Sequence, residues 1–515
     1  GGADGSVHLW DVRLRQKVAS LRFEAPVTAL ATANVDAALC AAVGLGSGKL
    51  LLLRGSLANL DGDVLEAPVK RSSAVLALKF SPDGQFAAAG YANHIIDIFD
   101  VAAGNVLHSC ALKGHAGPVS ELDWHSDNRF LRSTSRAAEE LLFWDLSIKG
   151  GVRVENVSTL RDVPWASSNC TFGWYAQGIP LPPGALDLHP SLPLLVAGGA
   201  WPTVDMYRYP ALGGYPQPIP KRAAAHGAAG VAKVAWAEGG RRVVSTGAED
   251  ACVMEWALVD LSLGEHVRRL VAKGTPAEAA AIRARFGGVA DVVDEEVAKK
   301  KSPLSLAEPS RAPMLKRGTP STNLELEHVH GYRGRDATGN MLLLASGDVC
   351  FSAAAVVVMM DMEGREQEFF TEHETEVTAM ALHPDGIHVA TGESGSSPNV
   401  LVWNADRIQA QARLGSCALE GLSGFGGPIK ALAFSPDGDR LAVIGADAAN
   451  TLIIWDWRSK TPLFGTKTGG NPILAAAFSP RVGPASGASG GSLMTCGVQH
   501  AAFFALTSNP RRGGK

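Results

Sequence analysis

With 515 residues, 46% apolar and 19% charged, the chain is long enough for two or more domains with large cores. A formal net charge of −4 excludes the strongly basic footprint of a general nucleic-acid binder. No run approaches the roughly 18 uninterrupted apolar residues a membrane helix requires, and the start is not a signal peptide.

The chain begins inside a repeat. Gly2-Ala3-Asp4-Gly5-Ser6-Val7-His8-Leu9-Trp10-Asp11 joins a tight Asp-Gly turn to an alternating strand closed by Trp-Asp, without a starting Met, so it reads as an excerpt of a longer protein. Similar strand ends recur at 95–100 (IIDIFD), 141–146 (LLFWDL), 203–209 (TVDMYRY), 252–258 (CVMEWAL), 400–405 (VLVWNA) and 451–457 (TLIIWDW). Between them fall strand-turn-strand units at 76–90, 121–133, 380–392 and 431–445. A spacing of roughly 40 to 50 residues is that of four-stranded propeller blades, so the expected fold is all-β, built of tandem WD-repeat β-propellers.

Residues 1–257 give about six blade equivalents, the first represented only by its end. In the last of them His226, Ser245, Asp250 and Trp256 stand where a loop His, a strand Ser, a turn Asp and a strand Trp form a hydrogen-bonded chain. Such a chain stiffens a blade when every member is satisfied, and at these offsets it reads as structure rather than as a hydrolase triad. An earlier blade keeps His115 and Trp144 but has Ala138 to Glu140 in place of the turn Asp, so its set is expected to be incomplete. The passage Leu160-Arg161-Asp162-Val163-Pro164-Trp165, with Cys170-Thr171-Phe172-Gly173 and Gln177-Gly178-Ile179, departs from the repeat.

Residues 258–324 break the pattern and read as a linker with short helices, Thr275 serving as N-cap before Pro276, followed by a basic Pro/Ser-rich stretch. Its cations Lys299, Lys300, Lys301, Arg311, Lys316 and Arg317 face only Glu308 as local acid. Residues 325–361 then predict three short strands, at 341–344, 349–351 and 354–361. Before them Gly331-Tyr332-Arg333-Gly334-Arg335-Asp336 is expected to form a compact polar-aromatic knot in which Tyr332 packs while its hydroxyl finds a partner. The repeat resumes over 362–508, about four blade equivalents fit after residue 337, and 509–515 is a tail.

The run 325–361 resembles the HELP motif of the echinoderm microtubule-associated-protein-like family, which heads a tandem pair of propellers. The 160–179 passage and the ending Gly247-Ala248-Glu249-Asp250-Ala251-Cys252-Val253-Met254-Glu255-Trp256 resemble that family's second propeller. The resemblance implies that 1–257 is the second propeller of one unit and that the next unit starts at 325, as in long multi-unit members. It implies an architectural role for Tyr332 and Arg333. It further implies a non-enzymatic protein that associates with tubulin, microtubules and other microtubule-associated proteins in the cytoplasm and cytoskeleton, with no nucleic acid and no membrane as partner. A multi-unit layout suits a periodic track such as a ciliary or flagellar axoneme. The linker cations are then the candidate tubulin contact, since tubulin surfaces are acidic. The alternative is a WD-repeat scaffold or adaptor for another complex, a ubiquitin-ligase receptor or a transport assembly, which would lack the HELP-like run.

No catalytic, cofactor-binding or metal-ligating residues are expected. The seven cysteines lie far apart without CxxC or a His/Cys cluster, which points to free thiols in a reducing compartment and away from zinc. Gly44 to Gly48 is glycine-rich but sits in a strand-to-strand turn with no Lys-Ser/Thr. His373-Glu374-Thr375-Glu376 lacks a second His, Asp361, Glu363 and Glu366 read as a solvated turn, and His189 and His383 precede Pro as turn packing.

Overall fold

The structure, a computed structural model, describes residues 2–11, 16–35, 38–55, 64–69, 71–101, 106–160, 162–179, 184–212, 218–250, 252–260, 320–332, 339–415, 424–479 and 492–505. Among them the only helices are three short 3-10 turns, Val157–Leu160, Trp174–Ala176 and Glu238–Gly240; the rest of the regular structure is strand. The strands form ten antiparallel sheets, eight of them four-stranded and in chain order, which establishes the all-β blade architecture. No described helix is long and apolar enough to cross a membrane. The helices expected in the linker lie outside the described residues.

Two compact units are formed, one built on residues 1–197 and 206–221, the other on 198–205, 222–259 and 324–515. In the first, the blade Val75–Phe80, Phe86–Tyr91, Ile95–Asp100, Leu107–Lys113 shows how a repeat turns into a layer. Its three inner strands are buried along nearly their whole length, and only the outermost alternates. Strands covered on both faces need apolar side chains at odd and even positions alike, so the period-2 signal survives only at the rim. Val27–Val35 packs on Val75–Phe80, which packs on Glu121–Trp124, and Val75, Phe80, Tyr91 and Phe99 fill one interlayer core while Trp124, Leu131 and Trp144 fill the next. Gly90 permits this approach, because a Cβ there would stand 2.6 Å from Val119 Cγ1.

In the second unit the same device recurs, with Gly392 against Ile429. A threonine hydroxyl bridges blades in both units. Thr28 Oγ1 donates to the Val75 carbonyl and Thr378 Oγ1 to that of Ile429, each at 2.6 Å. Four sheets lie between residues 341 and 505, the last with three strands. The strands after the HELP-like run are Met341–Leu343, Val349–Ala353 and Val356–Met360, within two residues of their predicted bounds.

The strand Thr322–His330 is the fourth of the sheet whose other members are Val231–Ala237, Arg242–Gly247 and Val253–Asp260. A boundary at residue 325 therefore falls inside a strand that pairs backwards, onto the last blade before the linker. Side chains reinforce the pairing. Arg242 Nη2 meets Glu327 Oε1 at 2.7 Å and His330 Nε2 meets Glu255 Oε1 at 2.9 Å. From the other direction the Gln367 amide grips the Val329 backbone, accepting from its N–H at 2.9 Å and donating to its carbonyl at 3.2 Å.

Candidate functional site

Three blades carry a buried chain of His, carboxylate, hydroxyl and indole. In the blade whose third strand carries Trp256, His226 Nδ1 lies 2.9 Å from Asp250 Oδ2 and its Nε2 lies 2.8 Å from Ser245 Oγ. Trp256 Nε1 donates to the same Oγ at 2.9 Å, and the Gly227 N–H donates to Asp250 at 3.0 Å. His373 has the same arrangement with Glu393 at 3.0 Å, Thr391 at 2.7 Å and Trp403 Nε1 on Thr391 at 3.2 Å.

The set around His115, expected to be incomplete, is complete. Glu140 Oε2 stands 3.1 Å from His115 Nδ1, Ser133 Oγ lies 2.7 Å from Nε2, and Trp144 Nε1 donates to Ser133 at 2.8 Å. Glu140 opens the strand Glu140–Asp145 and Glu393 closes the strand His388–Glu393, whereas Asp250 sits in the turn. The extra methylene of Glu lets the carboxylate reach the histidine from a strand end. Pattern matching on a turn Asp misses it for that reason.

This connectivity, hydroxyl to imidazole to carboxylate, is that of a nucleophilic triad. Burial removes the chemistry. Ser245 and His226 are each 0% exposed, and the hydroxyl that would attack already accepts an indole N–H, so no substrate carbonyl can approach it. What the chain does is tie the loop before a blade to its second and third strands.

The Asp250 and Glu393 carboxyls titrate below their ordinary values. Burial pushes them up, but the hydrogen bonds and charge of His226 and His373, with backbone N–H donors, outweigh it. Burial pushes the His115 imidazole down against the pull of Glu140. All three shifts are downward, so the unfolded chain binds more protons and stability falls as pH falls. The His115 share is lost below its ordinary value of 6.5 and the carboxylate shares below 4.5 and 3.8. Calorimetry should show an apparent Tm that is level from pH 8 to 7, declines below 6.5 and drops steeply below about 4.5. A Tm rising between pH 6.5 and 4.5 would contradict this account.

A second polar centre escaped the sequence reading. Asp123 and Arg132, directly opposite each other across the hairpin Glu121–Trp124 and Phe130–Ser135, are both buried and meet at 3.0 Å. Asp123 also accepts from Ser167 Oγ at 2.6 Å and from the backbone N–H groups of Asn169 and Cys170, each at 2.9 Å. Arg132 donates to the Ser167 carbonyl and to Tyr175 Oη, each at 3.1 Å, and lies over the Trp165 ring at 4.5 Å. The passage that departs from the repeat is thus pinned to a blade edge by one ion pair. Burial pushes the Asp123 carboxyl up, yet Arg132, Lys79 and its donors hold it below the usual range. The Cys170 thiol, driven far up by burial, is inert. None of the six described cysteines forms a disulfide.

Of the HELP-like residues, Gly331 and Tyr332 are described; Arg333, Gly334, Arg335 and Asp336 lie outside the described residues. Tyr332 is 43% exposed, its hydroxyl donates to Asn340 Oδ1 at 2.7 Å, and its ring meets Phe351 edge-on at 6.1 Å. Lys299, Lys300, Lys301, Arg311, Lys316 and Arg317 also lie outside the described residues. Of the glycines in 44–48, Gly44 lies in the strand Ala38–Leu45, paired with Leu50, while Gly46 and Gly48 stand in the hairpin turn to Leu50–Gly55.

Comparison with known proteins places this architecture. A family profile described as the echinoderm microtubule-associated protein second beta-propeller matches residues 1–258, the HELP motif matches 319–358, and the WD domain, G-beta repeat, matches 364–404 and 416–456. The 77 kDa echinoderm microtubule-associated protein of Strongylocentrotus purpuratus is 34% identical over 173 residues, 32% of this chain and 24% of that protein. Echinoderm microtubule-associated protein-like 4 of Xenopus laevis is 33% identical over 200 residues, 37% of this chain and 20% of that protein. The chain thus spans about a quarter or less of the length of these two relatives. The Cps50 (Swd1) propeller domain of Myceliophteria thermophila aligns over 85% of this chain and 98% of its own, at 13% identity and a TM-score of 0.27, a likeness too distant to bear on this fold. With a second-propeller match over its first half, a HELP motif after it and WD repeats beyond, the chain belongs to the echinoderm microtubule-associated protein family.

Proposed function

We propose that this chain is a non-enzymatic docking segment that binds the microtubule lattice through its tandem propellers, within a multi-unit protein suited to a periodic track such as a ciliary or flagellar axoneme. The observation that carries this reading is the order of a second propeller, a HELP motif and fresh WD repeats, in a family whose relatives are named as microtubule-associated. It accords with the sealed state of the three His-carboxylate-hydroxyl chains, which act as braces. Tubulin is the partner, with other microtubule-associated proteins beside it, and the cytoskeleton is the location.

The basic run Lys299, Lys300, Lys301, Arg311, Lys316 and Arg317 supplies an electrostatic contact to the acidic tubulin surface. Electrostatic attraction of this kind weakens as salt shortens the screening length to about 8 Å at physiological strength. Co-sedimentation with stabilised microtubules should give pelleting that falls between low and high salt. Replacing the six cations with Ser should weaken binding severalfold at low salt, and unchanged affinity would move the contact to the propeller faces. No pelleting at low salt would favour a WD-repeat adaptor of another assembly.

A further inference from the structure

Five turns occupy the same place in five blades, joining the first strand to the second. In each, the first residue's N–H donates to the carbonyl of the sixth: Ser81 to Phe86, His125 to Phe130, His189 to Leu194, His383 to His388 and Ser435 to Arg440, at 2.8 to 2.9 Å. The turn uses the side chain of its first position throughout and, in four of the five, an Asp at the third. Ser81 Oγ donates to Asp83 at 2.6 Å and Ser435 Oγ to Asp437, while Asp83 and Asp437 accept N–H groups of their own loops. The sixth position is free to vary, being Phe, Phe, Leu and Arg in the other four turns. Only His383-Pro384-Asp385-Gly386-Ile387-His388 has histidine at both ends with a carboxylate between them. Turn formation therefore explains Asp385 and His383, but does not call for a histidine at 388, whose ring packs on Trp457 with centroids 5.6 Å apart.

The three side chains converge. Asp385 Oδ1 lies 3.0 Å from His383 Nδ1, Asp385 Oδ2 lies 2.6 Å from His388 Nδ1, and the candidate donor atoms are all within 4.8 Å of one another. His383 is buried, and its far nitrogen, Nε2, donates to the Gly438 carbonyl at 2.9 Å, which fixes the ring and leaves Nδ1 as the basic atom of the neutral imidazole, an acceptor that takes the Asp385 N–H at 3.2 Å and would exchange it for a cation. A carbonyl on the remote ring N–H is the usual outer support of a metal-ligating histidine. Asp385 is held by the Ile387 and His388 N–H groups at 2.8 and 3.0 Å. Bonds of about 2.05 Å to a tetrahedral ion put neighbouring ligand atoms roughly 3.3 Å apart; the 3.0 and 2.6 Å contacts run to different Asp385 oxygens, so seating an ion means turning the carboxylate to present one oxygen and bringing the three donor atoms, now within 4.8 Å of one another, to that spacing.

We propose that His383, Asp385 and His388 bind one late first-row divalent cation of the zinc class through the two Nδ1 atoms and one carboxylate oxygen. Two imidazoles select against calcium and magnesium, which take oxygen ligands. His388 also lines a cleft of about 280 Å³ with Gln411, Trp457 and Arg458, which leaves room for a fourth ligand, water or the side chain of a docked protein. The one cation on that cleft, Arg458, is paired with Asp439 at 2.7 Å and stacked over Trp457 at 4.6 Å, so its charge is partly neutralised. With no cysteine and only one turn's worth of sequence, the set reads as an ordinary Pro-Asp-Gly turn.

The test uses the whole chain, stripped with chelator and titrated with Zn²⁺ against a chromophoric competitor, with Co²⁺ absorption reporting coordination. Compared with His388→Phe, the residue present in two sister turns, the parent chain should bind one further equivalent, at least tenfold tighter than any residual binding in the variant. His388→Gln and Asp385→Asn should lose the same equivalent, and their unchanged melting without metal would exclude a folding defect. Zn²⁺ should raise the apparent Tm of the parent chain alone. Equal stoichiometry and affinity across the parent and all three variants, or displacement of Zn²⁺ by millimolar Ca²⁺ or Mg²⁺, would overturn the assignment.

Discussion

Arg132→Met is expected to destabilise the first unit by about 3–5 kcal/mol, the cost of stranding a buried charge, and to lower the apparent Tm on the order of 10 °C. Asp123 is 0% exposed, and after the substitution its carboxylate would keep hydrogen bonds from Ser167 and two backbone N–H groups and the more distant charge of Lys79, without a direct ion-pair partner. Asp123→Asn should cost a similar amount, because a neutral amide cannot balance the guanidinium and turns donors toward N–H groups that need an acceptor. The double variant Asp123→Leu/Arg132→Met should recover part of the loss, since removing both charges together removes the penalty of burying either. It should not recover the pinning of 165–177, where the Asn169 and Cys170 N–H groups and Tyr175 Oη lose a partner. Alkylation resolves the two effects. Cys170, 0% exposed in the parent chain, should become reactive in all three variants, as read by peptide mapping. A Cys170 that stays protected in Arg132→Met would show that the passage is held by its own packing.

The contrast between what the sequence revealed and what it concealed follows from where the information lies. The blade repeat was legible because turns and strand ends are local: Ser-Pro-Asp-Gly and Trp-Asp set φ, capping and packing within a few residues. His226, Ser245, Asp250 and Trp256 were legible for a related reason, standing at fixed offsets within one repeat. Asp123 was not. All four residues of Glu121–Trp124 are buried, so the alternation that would mark an inward-facing acid is absent. The Arg132 partner emerges only once the hairpin register is known. Glu140 and Glu393 were hidden by a chemical substitution that keeps the carboxylate and changes its reach. Thr322–His330 was the hardest case, since its partner strand lies on the far side of residues 261–321, and no local pattern reports a pairing across such a span.

Trp403→Ala should cost the second unit about 3–5 kcal/mol, as expected for deleting a fully buried aromatic whose site cannot collapse. Trp403 is 0% exposed and lies flat on Phe370 of the preceding blade, with centroids 4.5 Å apart and planes 7° from parallel. The stack accounts for roughly 0.5–1.5 kcal/mol of that figure, the rest being lost transfer energy and the void left among Val357, Met359, Val377 and Leu401. Trp403→Phe separates packing from hydrogen bonding. It keeps a ring on Phe370 but removes the N–H donated to Thr391, so about 1–2 kcal/mol should be lost. The His373–Thr391 contact at 2.7 Å and the His373–Glu393 contact at 3.0 Å should persist. Thr391→Val inverts the experiment. With the stack intact, it orphans both the indole N–H and His373 Nε2 inside a closed core, and should cost at least as much as Trp403→Phe. Amide hydrogen exchange gives the local reading. Trp403→Ala should speed exchange in both Val400–Asn404 and Gln367–Phe370, since one ring braces two blades, whereas Thr391→Val should speed it mainly in its own blade, 377–414. Equal exchange in the two blades for both variants would mean that the polar chain and the aromatic stack hold the unit as one element rather than two.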